Sequence, residues 1–471
     1  MTELYGNLLY FLGFSIVAVS LYWLTPKKYR SATLLCINML FYTLCAGWYV
    51  LFLLSTGLWS YFCARSIDNN DEGSNKKKWL TWGIVPILLT LCVFKYWTPT
   101  WSILGRILSE TEGFNIMRII LPLGMSYYIL KSISYMIDVY RKKLCAENNL
   151  INYLAYVSFY GQIVSGPIQR YEQWARESRR EKPLKTYING YYHIVLGLFM
   201  KLVIANRLSG FIDVTFADPD AANGLQLWLG FFLYAIYIYC DFAGYSHIAI
   251  GVTNCHGMDC IDNFDKPYFS RNIREFWNRW HISLSSWLKD YVYIPLGGNR
   301  KGQFRRVLNV MITFFICGIW HGSTMSFVVW GGYHGLANVL TKKTKDSHIS
   351  AINNLFHSCC TFIIVSTGWI FFTSSTLGDA LNYFKGMFTR VSINASSIQE
   401  AITPFASNNT CLALFLTVLF FIFVLLLKEA NDMYKFLPRT KSTSFIWQVF
   451  VVVSILLFGV FGANQFIYAG F

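Results

Sequence analysis

The 471-residue sequence is short of charge. Asp, Glu, Lys and Arg make up 14% of it, against about 25% in an ordinary soluble chain. With 54% hydrophobic residues and a mean hydropathy of +0.38, that shortage excludes a disordered chain and argues against a soluble globular enzyme. Acidic residues are scarcest: 25 Asp and Glu face 40 Lys and Arg, a net charge of +15. A basic balance raises nucleic acid as a partner. No basic stripe or RNA-binding motif is present, however, so no nucleic acid is expected. The 12 cysteines form no C-x-x-C. Most lie in apolar runs (Cys36, Cys45, Cys92, Cys240, Cys317, Cys411) and read as small buried hydrophobes. Cys255 and Cys260 flank His256 at a spacing that fits no standard zinc site, and Cys359–Cys360 reads as packing. Neither a disulfide framework nor a metal is expected. No cleavable signal peptide is expected either, because Leu8–Leu24 is long and has no basic stretch before it. It reads as a first membrane span.

What is there is a series of apolar runs near the length of about 20 residues that crosses a bilayer. They are Leu8–Leu24, Ser31–Gly47, Trp48–Cys63, Trp79–Tyr96, Met117–Val139, Gly190–Ala205, Leu225–Val252, Val307–Ile319, Met325–Leu340, Ile352–Phe372, Cys411–Leu427 and Phe445–Phe461. Ile151–Ile168 is apolar but interrupted by Gly161, Gln162, Gly166 and Pro167. Irregular backbone at membrane depth survives only when buried in protein or facing a water-filled cavity, so this stretch reads as a re-entrant hairpin. Of the 40 Lys and Arg, 32 fall in seven loops or regions, among them Lys27–Arg30, Arg65–Lys78, Arg141–Lys143, Gln169–Tyr187 and Lys342–Lys345. Cytoplasmic loops collect Lys and Arg. That rule places these loops inside and both termini outside, provided Ile151–Ile168 does not cross.

Two stretches depart from the pattern. Val307–Leu340 lies between basic flanks and is too short for two full crossings. Arms of about 15 residues reach roughly 23 Å, so a turn near Trp320–Thr324, holding His321, is expected to stop inside the membrane. Two tilted short helices are the alternative. Asn263–Arg300 is too charged to span but rich in aromatics, including Phe264, Phe269, Phe276, Trp277, Trp280 and Trp287. It reads as an interfacial segment or as a cavity wall.

Chemistry centres on the histidines. An ionisable residue within the membrane is a functional candidate by default. His321, between Trp320 and Gly322, is the strongest, since a neutral imidazole can take a proton from an alcohol and return it to a leaving group. The alternative is a packed imidazole bonded to a neighbouring carbonyl. His281 sits in EFWNRWHISLSSWLKDY, where Arg274, Arg279 and Lys289 could hold phosphate or carboxylate and Asp290 could orient the ring. Ser283, Ser285 and Ser286 invite a hydrolase reading, but no G-x-S-x-G elbow exists. His334, in WGGYHG, is as much a packing residue as a supporting one. His193 reads as interfacial, and His348 and His357 as incidental. Gly297 and Gly298 of YIPLGGNR could offer N–H groups to an anion, though a turn explains them equally.

These stretches carry a resemblance. LPLGMSYYILKSISYMIDVYR (Leu121–Arg141), GPIQR (Gly166–Arg170), DFAGYSHIAIG (Asp241–Gly251), the run ending in YIPLGGNR, and WHG with WGGYHG resemble the membrane-bound O-acyltransferase superfamily. The bacterial branches of alginate O-acetylation and D-alanyl transfer are the most similar. The resemblance spans the central part of the chain; residues 1–115 match only in hydropathy. It implies an all-α polytopic membrane protein, with about 11–12 transmembrane helices and re-entrant segments around a central tunnel. N-terminal helices (1–115) and C-terminal helices (341–471) would frame a catalytic core (116–340) within one membrane domain. The family's invariant histidine falls on His321 and its second important histidine on His281. Asn278, Arg279, Trp280, Asp290, Trp320, Arg170 and His334 are the further candidates for substrate binding. Where the family pattern usually has Asp after GYS, this chain has His247.

The implied activity moves an acyl group, expected to be acetyl, from a cytoplasmic thioester to a cell-envelope or exported polysaccharide, directly or through an extracytoplasmic transferase partner. No cofactor is expected to be bound. The donor would be acetyl coenzyme A or an acyl-carrier thioester, which suits a basic face, and the site would be the bacterial inner membrane. The alternatives are D-alanyl transfer to a teichoic-acid-like polymer, lipid acylation, and a non-enzymatic transporter. No paired inverted halves support the last.

Overall fold

The computed structural model describes residues 8–70, 73–108, 121–180, 182–341, 351–405, 411–435 and 440–461. Among them there is helix and turn and no strand. This follows from the composition, because a helix satisfies its own backbone groups wherever water is absent. The described residues group into two compact units, Met1–Tyr191 with Ala249–Ile261 and Tyr192–Ile248 with Asp262–Asn464.

The first unit contains α1 (Leu8–Leu24), α2 (Arg30–Ala46), α3 (Val50–Asn69), α4 (Gly73–Leu108), α5 (Met125–Tyr140), α6 (Leu150–Val157) and α7 (Tyr171–Arg179). Helix α5 is shorter than the expected span Met117–Val139. Leu121–Gly124 is a turn, and Met117–Ile120 lies outside the described residues. Gly124 is needed there: its φ is +67°, and a Cβ would stand 2.1 Å from the Ile163 carbonyl oxygen. The expected break in Ile151–Ile168 is present. Helix α6 stops at Val157, and residues 158–166 fold as buried turns. Their backbone is held by side chains, with Asn38 donating to the Ala155 carbonyl and accepting from the Tyr160 N–H.

Helices α8 (Leu184–Leu198) and α10 (Gly224–Cys255) run through both units. Between them α8 passes through a π-helical stretch, Phe199–Ala205, into α9 (Asn206–Ala217). The rest of the second unit holds α11 (Ile273–Arg279), α12 (Ile282–Leu288), α13 (Gly302–His321), α14 (Met325–Leu340), α15 (Ala351–Thr373), α16 (Leu377–Thr389), α17 (Ala395–Ile402), α18 (Cys411–Tyr434) and α19 (Lys441–Phe458). The short helices α7, α11, α12, α16 and α17 have no counterpart among the apolar runs. They are polar or brief, and hydropathy does not register them.

Among the described residues six helical stretches are long and apolar enough to cross a membrane: Lys27–Asn69, Gly73–Trp97, Leu184–Ala217, Gly224–Cys255, Asn353–Thr373 and Leu412–Tyr434. Leu8–Leu24 and Ser442–Phe458 are shorter apolar helices. Their outer faces carry large exposed apolar side chains such as Ile16, Leu51, Leu89, Phe420 and Leu456. A surface of that kind faces lipid rather than water. Cys36 and Cys92 lie on such exposed faces, which corrects their expected burial, whereas Cys45, Cys240 and Cys317 are buried.

Helices α13 and α14 form a tight hairpin. A Cβ on Gly318 would stand 2.3 Å from the Phe327 carbonyl oxygen, and one on Gly331 would stand 2.5 Å from that of Phe314. Small residues permit this approach of two backbones. The first arm begins at Gly302, five residues before the expected Val307, so its 20 residues reach about 30 Å. The turn residues Ser323 and Thr324 are exposed, while His321 and Gly322 before them are buried. Side-chain packing therefore buries the histidine, and the turn itself does not.

Candidate active site

His321 closes α13, where Gly322 adopts extended backbone and ends the helix. Its imidazole is 3% exposed and is surrounded by ring edges. Trp320 lies at 4.9 Å between centroids, Trp330 at 5.1 Å and Phe372 at 5.2 Å, all steeply inclined. A Cβ on Gly322 would reach to 2.1 Å of the Phe327 ring, so the glycine is required by the packing beside the histidine.

His281 stands at the junction of α11 and α12 with left-handed backbone (φ 44°, ψ 53°), a conformation held only where surrounding contacts enforce it. Asn263 supplies them. Its Oδ1 accepts from His281 Nδ1 (3.1 Å), the Ser283 N–H (3.2 Å) and Ser283 Oγ (2.9 Å). Its Nδ2 donates to Ser246 Oγ at 3.2 Å. An amide oxygen only accepts, so the proton of the neutral ring sits on Nδ1 and Nε2 carries the lone pair. Burial holds the imidazole below its ordinary pKa, so it is neutral at pH 7. Asn263, not the expected Asp290, is the partner at Nδ1; Asp290 lies half-buried in the π-helical turn Lys289–Tyr293.

The Trp320 indole joins the two histidines, lying 6.4 Å from the His281 ring and 4.9 Å from that of His321. The second unit also holds a cavity of about 380 Å³, with Arg274, Lys289 and Arg306 as cations and Trp277, Phe314 and Cys317 in its apolar wall; neither histidine nor Trp320 lines it. Cys317 is one helical turn before His321, and Ser285, also on the wall, is one turn after His281. The aromatic segment Asn263–Arg300 is thus largely a buried cavity wall rather than an interfacial helix.

The other candidates are dispersed. Asn278 is exposed on the cavity wall. Arg279 is tied to Glu275 at 3.0 Å and faces Asp265 at 3.8 Å, away from a binding role at the histidines. Trp280 is enclosed between Phe276 and Trp369. His334 is fully buried against Trp277, Trp330 and Trp369. Arg170 is half-buried at the start of α7 in the first unit. His193 and His247 stack with Nδ1 atoms 2.8 Å apart, a contact that explains the histidine after GYS. His357 is exposed on α15, and His348, with the basic loop Lys342–Lys345, lies outside the described residues. Among the described residues no cluster of His, Cys, Asp and Glu could hold a metal.

Several polar groups were not anticipated. Lys201 and Asp241 form a buried pair at 2.5 Å, and Tyr239 donates to Glu429 at 2.5 Å. In the first unit the buried Lys131 donates to Gln162 Oε1 (3.1 Å) and to the Tyr156 carbonyl (3.2 Å). Gln162 donates on to Gln169 (2.9 Å). Lys131, Lys201 and Asp241 stand within apolar runs, and their cost there was the available signal.

An all-α chain with several membrane-length helices and two buried histidines flanking one indole is a polytopic membrane protein with an enclosed imidazole site. The chain belongs to MBOAT, the membrane-bound O-acyltransferase family, whose family model matches residues 141–376. It is 34% identical over 427 residues to the probable alginate O-acetylase AlgI of Pseudomonas putida, covering 88% of this chain and 86% of that protein. It is 29% identical to the peptidoglycan O-acetyltransferase of Helicobacter pylori, over 77% of this chain and 73% of that protein. The teichoic acid D-alanyltransferase of Bacillus subtilis is 29% identical over 45% of this chain and 57% of its own length. The protein is a membrane O-acyltransferase.

Proposed function

We propose that the protein O-acetylates a cell-envelope or exported polysaccharide, taking the acetyl group from a cytoplasmic thioester with His321 as general base. The observation that carries this reading is the pair of buried imidazoles on either side of Trp320, each one helical turn along its helix from a residue that lines a cavity with cations and an apolar wall. Arg274, Lys289 and Arg306 suit the phosphates of coenzyme A or of a phosphopantetheine carrier, and the Trp277–Phe314–Cys317 wall suits the short acyl arm. His321 takes the proton of the acceptor hydroxyl, and the oxygen attacks the thioester carbonyl. The C–S bond breaks as the C–O bond forms, and the proton passes to the departing thiolate. The acceptor is a sugar hydroxyl or a hydroxyl of an extracytoplasmic transferase that relays the group.

His281 acts differently from a group that polarises the donor carbonyl. With its proton on Nδ1, a neutral His281 accepts at Nε2, which fits it to hold an N–H or O–H of the substrates. The basic loops support an orientation in the bacterial inner membrane with the cavity's rim on the cytoplasmic side and both termini outside. The two O-acetylases match over more of the chain than the D-alanyltransferase does, which favours acetyl over D-alanyl.

The test is His321→Ala in cells, read by mass spectrometry of envelope glycans. Acyl transfer should fall by about 10²–10⁴-fold with expression and membrane insertion unchanged. The mass lost from the glycan identifies acetyl or alanyl. Undiminished acylation by the variant removes His321 from the mechanism.

A further inference from the structure

The first unit holds a cavity with about 500 Å³ of space. It forms where α1 ends and α2 begins, beside α7 and the residues just past α10. Lys27, Arg30, Arg179, Arg180 and Lys182 line it, against the single carboxylate of Glu147. That carboxylate is already compensated by Tyr171 at 2.5 Å and Arg179 at 3.0 Å.

The cavity is built rather than incidental. Trp23 Nε1 donates to the Cys255 carbonyl at 2.9 Å, which locks the indole. The Arg30 guanidinium lies 4.3 Å above that indole and 5.4 Å from the Tyr22 ring. Only its Nε is used by the protein, donating to the Thr25 carbonyl at 3.2 Å. Among the described residues Arg30 forms no ion pair. The Lys182 side chain is 3% exposed and is held by Glu177 and by Asp259 at 2.8 Å.

From this geometry we infer that the cavity binds a phosphate ester, with Arg30 and Arg180 as its principal anion contacts and the Trp23–Tyr187 wall against the organic part. A planar guanidinium matches phosphate oxygens in pairs. The enclosed volume suits a headgroup or nucleotide and excludes a macromolecule. Its place at the ends of apolar helices is where basic pockets hold anionic lipid headgroups. A soluble phosphate ester carries the same chemistry. The inference stands whether or not the chain transfers an acyl group.

The test uses the full-length protein in neutral detergent. Native mass spectrometry follows exchange with vesicles of phosphatidylglycerol or of phosphatidylcholine, and calorimetry follows titration with coenzyme A and with inorganic pyrophosphate. Wild type should retain phosphatidylglycerol over phosphatidylcholine. Arg30→Gln and the exposed Arg180→Gln should each weaken retention about fivefold, the effect of one cation near a phosphate. Lys77→Gln, an exposed cation outside the cavity, should change nothing. Loss of coenzyme A or pyrophosphate binding in the same two variants, without lipid retention, supports the same chemistry from a soluble source. Equal retention of both lipids without soluble binding, or undiminished phosphate binding in both arginine variants, overturns the inference. So does an equal loss in Lys77→Gln.

Discussion

Asn263→Ala should disable His281 without touching either histidine. In the folded protein one amide oxygen accepts from His281 Nδ1, the Ser283 N–H and the Ser283 hydroxyl. The hydroxyl can rotate to another acceptor; the other two donors cannot. Two buried donors left unsatisfied, at about 1–3 kcal/mol each, predict a stability loss of about 2–6 kcal/mol. Freed of its anchor, the imidazole leaves its left-handed perch, and a shift of about 1 Å costs roughly 100-fold in turnover. Asn263→Asp separates geometry from fold. The carboxylate still accepts all three bonds, so orientation and most stability should persist. Its charge favours the imidazolium and raises the His281 pKa by about 1–3 units. In wild type burial keeps that pKa low, so the ring stays neutral as pH falls toward 6. With burial holding the wild-type ring at about 3, the variant protonates at Nε2 within about pH 4–6, and activity should drop on the acid side of that window and return on the alkaline side. The assay is kcat against pH for purified enzyme in detergent. An Asn263→Ala enzyme with wild-type kcat, or an Asn263→Asp profile identical to wild type, refutes the reasoning.

Gly331→Ala should separate α13 from α14 and cost about 1–3 kcal/mol in thermal unfolding. Gly332→Ala, where a Cβ meets nothing within 4 Å, should be silent; equal effects would dismiss the close-approach argument. Asp241→Asn should destabilise by about 3–5 kcal/mol, because Lys201 then loses its buried counter-charge, and the joint change Lys201→Met with Asp241→Leu should recover much of it. A variant as stable as wild type would show that the pair contributes nothing. Lys77→Cys should resist impermeant thiol reagents applied to intact cells, and ready labelling would invert the proposed orientation.

The membrane class and many of the spans were legible because hydropathy is additive along the chain, and a helix such as Gly224–Cys255 reports itself. His321 was legible because an imidazole beside a long apolar run has a cost that needs a reason. Its burial mechanism was not, since the ring edges of Trp330 and Phe372 come from separate helices. Asn263 was hidden for a similar cause. It lies 18 residues before His281, and nothing local distinguishes it from a loop asparagine, whereas Asp290 offered a nearer charge. The His193–His247 contact and the Lys201–Asp241 pair are meetings of α8 and its π-helical continuation with α10. A sequence shows that such polar residues exist in apolar runs, but their partner is chosen by rotation of one helix against another. The small helices α16 and α17 went unseen because their caps, Thr376 and Asn394, matter only once a turn has formed.

The knuckle of Gly318 and Gly331 has a mechanical corollary. With carbonyl oxygens where side chains would otherwise stand, α13 and α14 behave as a single lever, and His321 and Trp330 ride on it together. The third ring against His321, Phe372, belongs to α15, so a displacement of α15 would alter the aromatic enclosure while leaving His321 and Trp330 in register with each other.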